Sequence, residues 1–227
     1  MLRISIVGAA LAAATLLLPH AIDASTSAGF ARADFDPAAI GAIDTDVFEM
    51  ALGAASCAVR SGAVNDPGTL TVIDYSKPSS ERRLWVFDLK SRELVYEELV
   101  AHGQGSGANM ATQFSNDDEP HQTSLGLFVT RDTYVGKNGY SLRLDGLDRG
   151  VNDRARDRAI VMHGAPYVSE QFVKANGRLG RSWGCPAIST DVARQMIDRV
   201  KGGGLVFAYY PDAGWIKTSK YLVGCRA

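Results

Sequence analysis

The chain has 227 residues, 46% of them hydrophobic and 22% charged, which lies within the globular range and suffices to bury one sizeable core. Its formal net charge of −1 leaves no basic field to condense on phosphates or an anionic lipid surface, so no nucleic-acid partner is expected.

The opening run MLRISIVGAALAAATLLLPHAIDASTSA sets a basic residue, Arg3, before an apolar stretch from Ile4 to Leu18, with small and helix-breaking residues from Pro19 onward. This is the layout of a secretory signal peptide, and the stretch is short against the roughly 20 apolar residues of a bilayer span. Residues 1–24 are read as the signal peptide, with cleavage after Ala24 or Ala28; an uncleaved anchor is the alternative. No later segment is long and apolar enough to span a membrane, so the mature protein is expected in the periplasm or secreted, without a membrane span.

Residues 25–36 are small and polar and read as a linker, and 37–66 as an N-terminal helical segment. From Pro37 to Gly62, Ile40, Ile43, Val47, Met50, Ala51, Ala54 and Cys57 recur in steps of three and four, one face of an amphipathic helix. After Pro67 the texture changes to short β-like runs: TLTVIDY, RLWVFDL, ELVYEELVAHG, SLGLFVT, TYVG, YSLRLDGL, AIVMHGA and LVFAYY. With one further helical pattern at DVARQMIDRVKGG, closed by Gly202, the expectation for 67–227 is a mainly β (α+β) domain.

Three cysteines are present, Cys57, Cys185 and Cys225, and no two form the CxxC spacing of a zinc ribbon or thioredoxin-type site. An odd count in an oxidising compartment implies a leftover thiol. If Cys185 must stay reduced as a nucleophile, Cys57 and Cys225 are the pair expected to be bridged.

His163 follows the apolar run Ala159–Met162 and precedes Gly164, at the end of a buried strand; alone it reads as a core histidine. The segment Gly180-Arg181-Ser182-Trp183-Gly184-Cys185-Pro186-Ala187 changes that balance. A thiol preceded by glycine leaves room for a carbonyl to approach, and the amides around Gly184 and Cys185 can point at a developing oxyanion. Pro186 is well placed to start a helix whose N-terminus favours the thiolate. A neighbouring imidazole can take the thiol proton and hold the thiolate as an ion pair. His163 is the expected partner, with the Gly164 carbonyl orienting its other ring nitrogen as a carboxylate does in a triad.

The H-G and later S-x-G-C pattern resembles the signature of YkuD-like L,D-transpeptidases, and is most similar to the murein L,D-transpeptidase catalytic domain family. The likeness extends to Asp74–Ser76, Arg83–Leu89, His102–Gly107, Phe114–Asn116, Leu142–Leu147 and the stretch from Ile160 to Pro186. It implies a β-sandwich or barrel catalytic domain carrying the N-terminal amphipathic helix. It also implies a cysteine that attacks a peptidoglycan stem peptide at the L-centre of diaminopimelate, releases the terminal D-alanine and passes a thioester to an amine or to water. By position, Cys185 is the nucleophile, His163 the base, and Ser182 and Gly184 flank the nucleophile. The wider family has a second His two residues before the Cys and Arg or Asn two after it, where this chain has Trp183 and Ala187. Trp183, with Arg181 and Arg178 by proximity and His102 by resemblance, are the candidates for substrate contact.

No cofactor is expected. The run Gly103–Gly107 lacks the Lys-Ser/Thr of a phosphate loop and reads as a bend, and His102, His121 and His163 carry no metal-ligand spacing. The rival readings are an L,D-carboxypeptidase or hydrolase on the same fold, a sortase-like transpeptidase, whose downstream Arg is missing from LVFAYY, and a wall-binding module with a structural thiol.

Overall fold

The structure is a computed structural model, which describes residues 29–119 and 121–225. The expected signal peptide and both of its cleavage sites lie outside the described residues. Among the described residues, no helix is long and apolar enough to cross a membrane.

Helix α1 spans Thr45–Arg60 and so begins later than the apolar periodicity suggests. The Asp44 side chain accepts from the amides of Asp46 and Val47, an N-cap that fixes the start. Upstream, Pro37–Ala39 is a 3-10 turn. Gly41 follows at φ +70, where a Cβ would lie 2.6 Å from Glu97 Oε2. Ile40 and Ile43 therefore reach the core from a turn rather than from the helix. The stretch read as linker is also anchored: Phe35 is 2% exposed and lies edge-on to Phe48 of α1 at 5.1 Å.

Nine strands follow: β1 Thr69–Asp74, β2 Leu84–Asp88, β3 Glu93–Glu98, β4 Val100–Ala101, β5 Gly126–Gly136, β6 Gly139–Gly146, β7 Val161–Ala165, β8 Ala187–Ser189 and β9 Leu205–Tyr209. They form one sheet in the order β3-β2-β1-β9-β5-β6-β7-β8-β4. Its two edge strands, β3 and β4, are separated in the chain by Leu99 alone. The sheet is thereby brought back on itself into a nearly closed barrel. The buried guanidinium of Arg83, just before β2, spans this closure by donating to the Val100 carbonyl through Nε at 3.1 Å and Nη2 at 2.9 Å. The mainly β fold expected from the sequence is the one found.

Several elements differ from the sequence pattern. The run ELVYEELVAHG reads as one strand but divides between opposite edges, while SLGLFVT and TYVG merge into β5 through a bulge between Thr130 and Thr133. Helices α2 (Glu170–Asn176), α4 (Ala213–Thr218) and α5 (Lys220–Val223) are short and carry no long apolar periodicity. Helix α3, Thr190–Val200, was expected, and Gly202 beyond its end takes φ +78.

The core runs from α1 across the sheet, with Phe48 stacked on Phe87 at a 4.4 Å centroid distance and Trp85, Leu70, Leu127 and Phe207 fully buried. At the far end α5 lies against α1. Cys225 forms a disulfide with Cys57, with Cα atoms 5.6 Å apart at a sequence separation of 168. Closing so long a loop restricts the unfolded chain by about 4 to 5 kcal/mol in the chain-entropy treatment, with measured values commonly 2 to 4. Replacing both cysteines by serine is therefore expected to lower Tm by about 5 to 15 °C. Non-reducing peptide mapping should return a Cys57–Cys225 linked peptide and a single alkylatable thiol; two further alkylatable thiols would overturn the pairing.

Candidate active site

Strands β7 and β8 run parallel with His163 opposite Ala187, so Cys185, two residues before Ala187, arrives beside the histidine strand. Both side chains are nearly buried, His163 at 5% and Cys185 at 9% exposure. They line one cavity of about 260 Å³, whose other walls are Lys137, Asn138, Tyr167, Arg181, Ser182 and Trp183.

The nucleophile loop is held by its own backbone. Ser182 donates its amide to the His102 carbonyl at 3.0 Å and its carbonyl accepts from the Gln104 amide at 2.8 Å. Its hydroxyl donates to the Cys185 carbonyl at 2.6 Å and accepts from the Gly184 amide at 3.1 Å. Gly184 adopts φ +114, and a Cβ there would stand 2.8 Å from the Gln122 carbonyl oxygen. Only glycine suits that combination of left-handed backbone and close approach. Gly103 likewise lets its strand touch this loop, since a Cβ would lie 2.9 Å from Gly184 Cα. The glycine-rich stretch beginning there is a bend, with Gln104–Ser106 in a 3-10 turn.

These bonds correct two expectations. The Gly184 amide is committed to Ser182, so of the two amides around the thiol it is that of Cys185 which no acceptor takes among the described residues. Nor does Pro186 start a helix. The chain first pairs as β8, and α3 begins at Thr190, capped by Ser189; the ladder with β7 claims the residues in between. A helix N-terminus is thus not what supports the thiol.

The Cys185 thiol instead sits in a backbone notch. Its Sγ donates to the Ala159 carbonyl at 3.8 Å, and the nearby Val161 amide favours its ionised form. Ala159 holds φ +51, an unusual conformation for a residue with a Cβ and one that turns its carbonyl to the site. Burial pushes the thiol above its ordinary range, opposed by the Val161 amide and the Arg158 charge. Burial also pushes the His163 imidazole below its ordinary range, opposed by its bond to Gly164. Both shifts favour the uncharged forms, a neutral thiol beside a neutral imidazole, over the ion pair expected from the sequence.

His163 Nδ1 lies 3.0 Å from the Gly164 carbonyl. A carbonyl only accepts, so Nδ1 carries the proton and Nε2 is left as an acceptor. Gly164 also lets α3 pack against this strand, since a Cβ would stand 2.9 Å from Ala193 Cβ.

The remaining sequence candidates separate. Arg181 lines the cavity and is steadied by Nη1 bonds to the carbonyls of Gly107 at 3.0 Å and Gln104 at 3.4 Å. Trp183 is 66% exposed, stacked on His121 at 4.9 Å, with Lys137 Nζ 5.7 Å from its ring centre. Arg178 turns to the Leu179 carbonyl and does not line the cavity. His102 is wholly buried, also outside the cavity. Its Nδ1 accepts from Arg83 Nη2 at 2.8 Å, and burial with that cation lowers its pKa to about 4. An enclosed imidazole that is neutral at physiological pH thus sits behind the nucleophile loop, and the His102 carbonyl accepts from the Ser182 amide of that loop. The three histidines do not converge, and no His, Cys, Asp or Glu cluster that could hold a metal occurs among the described residues.

Four site residues escaped the sequence reading. Lys137 and Asn138 form the two-residue tip between β5 and β6, before Gly139 at φ +73; the Asn-Gly pair between alternating strands was a readable hairpin signal. Tyr167 lies flat under the nucleophile loop because Gly180 has no Cβ to strike its ring, and burial raises its pKa to about 12. Arg158 comes from the irregular loop before β7 and left no local pattern. A thiol, an imidazole with a free acceptor nitrogen and cations at the mouth are the groups nucleophilic acyl transfer needs.

The profile of the L,D-transpeptidase catalytic domain family matches residues 40–209. No curated protein matches the chain by sequence. Similar solved structures include an L,D-transpeptidase from Mycobacterium smegmatis, at 15% identity and TM-score 0.40 over 63% of this chain and 59% of that one. Another is the helical cell shape determining protein Pgp2 from Campylobacter jejuni, at 13% identity and TM-score 0.44 over 66% and 50%. A third is an L,D-transpeptidase from Stackebrandtia nassauensis, at 14% identity and TM-score 0.39 over 73% and 69%. The match thus spans between half and three fifths of the first two proteins. With the family profile covering most of its length, the chain belongs to the L,D-transpeptidase catalytic domain family.

Proposed function

We propose that this chain is an exported cysteine L,D-transpeptidase that acts on peptidoglycan stem peptides through a thioester on Cys185. The observation that carries the reading is the meeting of Cys185 and His163 in one cavity, with His163 Nδ1 committed to the Gly164 carbonyl. Nε2 takes the thiol proton as Sγ attacks the carbonyl of the L-centre of diaminopimelate. The C–S bond forms, the C–N bond breaks, and the proton passes from the imidazolium to the departing D-alanine amine. An amine of a second stem then attacks the thioester, gives its proton to Nε2, and the thiolate leaves and is reprotonated. The Cys185 amide is the donor assigned to the oxyanion. Lys137 and Arg181, both lining the cavity, are assigned to the carboxylates of the stem, with Trp183 as a wall. Residues 1–24 are assigned as a signal peptide, and a disulfide between Cys57 and Cys225 suits the oxidising compartment outside the cytoplasm.

Incubating the purified protein with defined muropeptides and reading the products by mass spectrometry tests the proposal. Cross-linked stems minus D-alanine support transpeptidation. D-alanine release without cross-links identifies water as the acceptor, and no change in the stems contradicts both.

Cys185→Ala is expected to abolish turnover and Cys185→Ser nearly so, because an alkoxide is much harder to generate than a thiolate beside the same imidazole. A carbapenem should add its mass at Cys185; labelling elsewhere, or activity in the alanine variant, would sink the assignment.

His163→Ala is expected to slow acylation by about 10²- to 10⁴-fold, the usual loss when a positioned base is removed. Because the resting pair is neutral, the same change should leave the pH profile of thiol alkylation in place; a large upward shift would instead reveal an ion pair.

The imidazole must be unprotonated to accept the thiol proton. Its pKa is lowered from the ordinary 6.5, so the neutral base persists below that pH and is lost only as pH falls through the depressed value. The acid limb of kcat/KM should accordingly lie below 6.5; a limb above it contradicts the assignment of this base.

A further inference from the structure

Cys185 is buried and its flanking residues bring it no charge: Trp183 and Ala187 stand two positions either side. The charge comes from elsewhere in the chain. Arg158 immediately precedes Ala159, whose carbonyl accepts from the thiol, and Arg158 Nη2 lies 3.4 Å from where a Cβ would stand on Gly184, the residue before the nucleophile. The guanidinium is fixed there by three neutral oxygens, the Ser115 carbonyl at 2.8 Å, the Gln122 carbonyl at 2.7 Å and Ser124 Oγ.

Among the described residues, no carboxylate touches it. Asp117 and Asp118, on the neighbouring loop, are bonded to Arg154 at 2.9 and 3.4 Å and reach Arg158 only at longer range. Its Nε is buried and has no acceptor among the described residues. A half-buried guanidinium that donates only to neutral groups, with its buried Nε–H unpaired, keeps its positive charge uncompensated by contact.

Lys137 and Arg181 also line the cavity, but Arg181 is turned to the carbonyls of Gly107 and Gln104 and Lys137 stands over the Trp183 ring; the remaining ionisable neighbours of Cys185 are uncharged at neutral pH. Burial raises the phenols of Tyr75 and Tyr167, both of which are coupled to the thiol, and His163 is neutral as described. We propose that Arg158 is the positioning cation of this site, held against the nucleophile loop so that its charge stabilises the Cys185 thiolate when His163 withdraws the proton. It acts through Cys185 and is given no contact with substrate. Burial and charge then oppose each other: the desolvated thiol resists ionising, and Arg158 keeps its thiolate within reach of a weak base. The inference rests on reading Cys185 as the nucleophile.

The test is the pH dependence of Cys185 alkylation by iodoacetamide in the disulfide-intact protein, where Cys57 and Cys225 are protected. Wild type is compared with R158K, R158Q and R158M, each checked for an unchanged circular dichroism spectrum. Loss of the charge in R158Q should raise the apparent thiol pKa by about one unit, so that alkylation at pH 8 slows about tenfold. R158K, which keeps the charge, should stay nearer wild type. R158M fills the space with an apolar chain and reads the same loss of charge if the glutamine variant does not fold. Profiles for R158Q and R158M that coincide with wild type overturn the proposal. So does an equal shift in R158K and the uncharged variants, which would mark Arg158 as a brace for the loop at 115–124 and nothing more. Carbapenem addition to the wild type separates the two readings: an Arg158-dependent thiol pKa without acylation at Cys185 retains this inference and removes the proposed function.

Discussion

A slip of one residue in the parallel pairing of β7 with β8 would turn His163 to the opposite face of the barrel, and no rearrangement of side chains could restore the site. That register, His163 against Ala187, is fixed from both sides. On one side Ser141 of β6 pairs with His163. On the other, β4 pairs with β8 at Val100 and Ala101, and β4 is placed by the one-residue step from β3 that closes the barrel. The edge closure and the site are consequently one construction: the strand that brings the sheet round leads directly into His102, whose carbonyl holds the Ser182 amide.

Within that frame the chemistry depends on what burial does to two groups. Both the thiol and the imidazole are held toward their neutral forms, so the site stores no separated charge at rest. The proposed mechanism must create it during attack, which places weight on the fixed dipoles and charges nearby: the Val161 amide, the Cys185 amide and the Arg158 guanidinium. A resting ion pair would need less from its surroundings. The two arrangements are different solutions to one problem, and the degree of burial selects between them.

Much of this was legible in the sequence because it is local. Strands with clear alternation, the α3 periodicity, the glycine before Cys185 and the Gly164 carbonyl beside His163 are read from adjacent residues. The start of α1 was missed because Ile40 and Ile43 continue the helical spacing although Gly41 and the Asp44 cap break the helix between them and the first turn. The division of 93–103 between two sheet edges left no mark, since Leu99 is as strand-like as its neighbours. Pro186 was misjudged for a related reason: its fixed φ suits a strand entry as well as a helix start, and pairing with β7 decided the matter. Arg158, Lys137 and Tyr167 come to the site from loops and hairpins distant in sequence, and only the closed sheet brings them there.

In the proposed mechanism the acyl group passes through Cys185, with His163 in the neutral form as its base. The direct measurement is rapid quenching of the protein with a defined tetrapeptide muropeptide, followed by intact-protein and peptide mass spectrometry across pH. A thioester on Cys185 carrying the stem without its D-alanine, still formed below pH 6.5 in wild type and lost in the His163→Ala protein, is the predicted result. Cleavage of the stem with no adduct on Cys185, or an adduct that forms equally fast without His163, would contradict it.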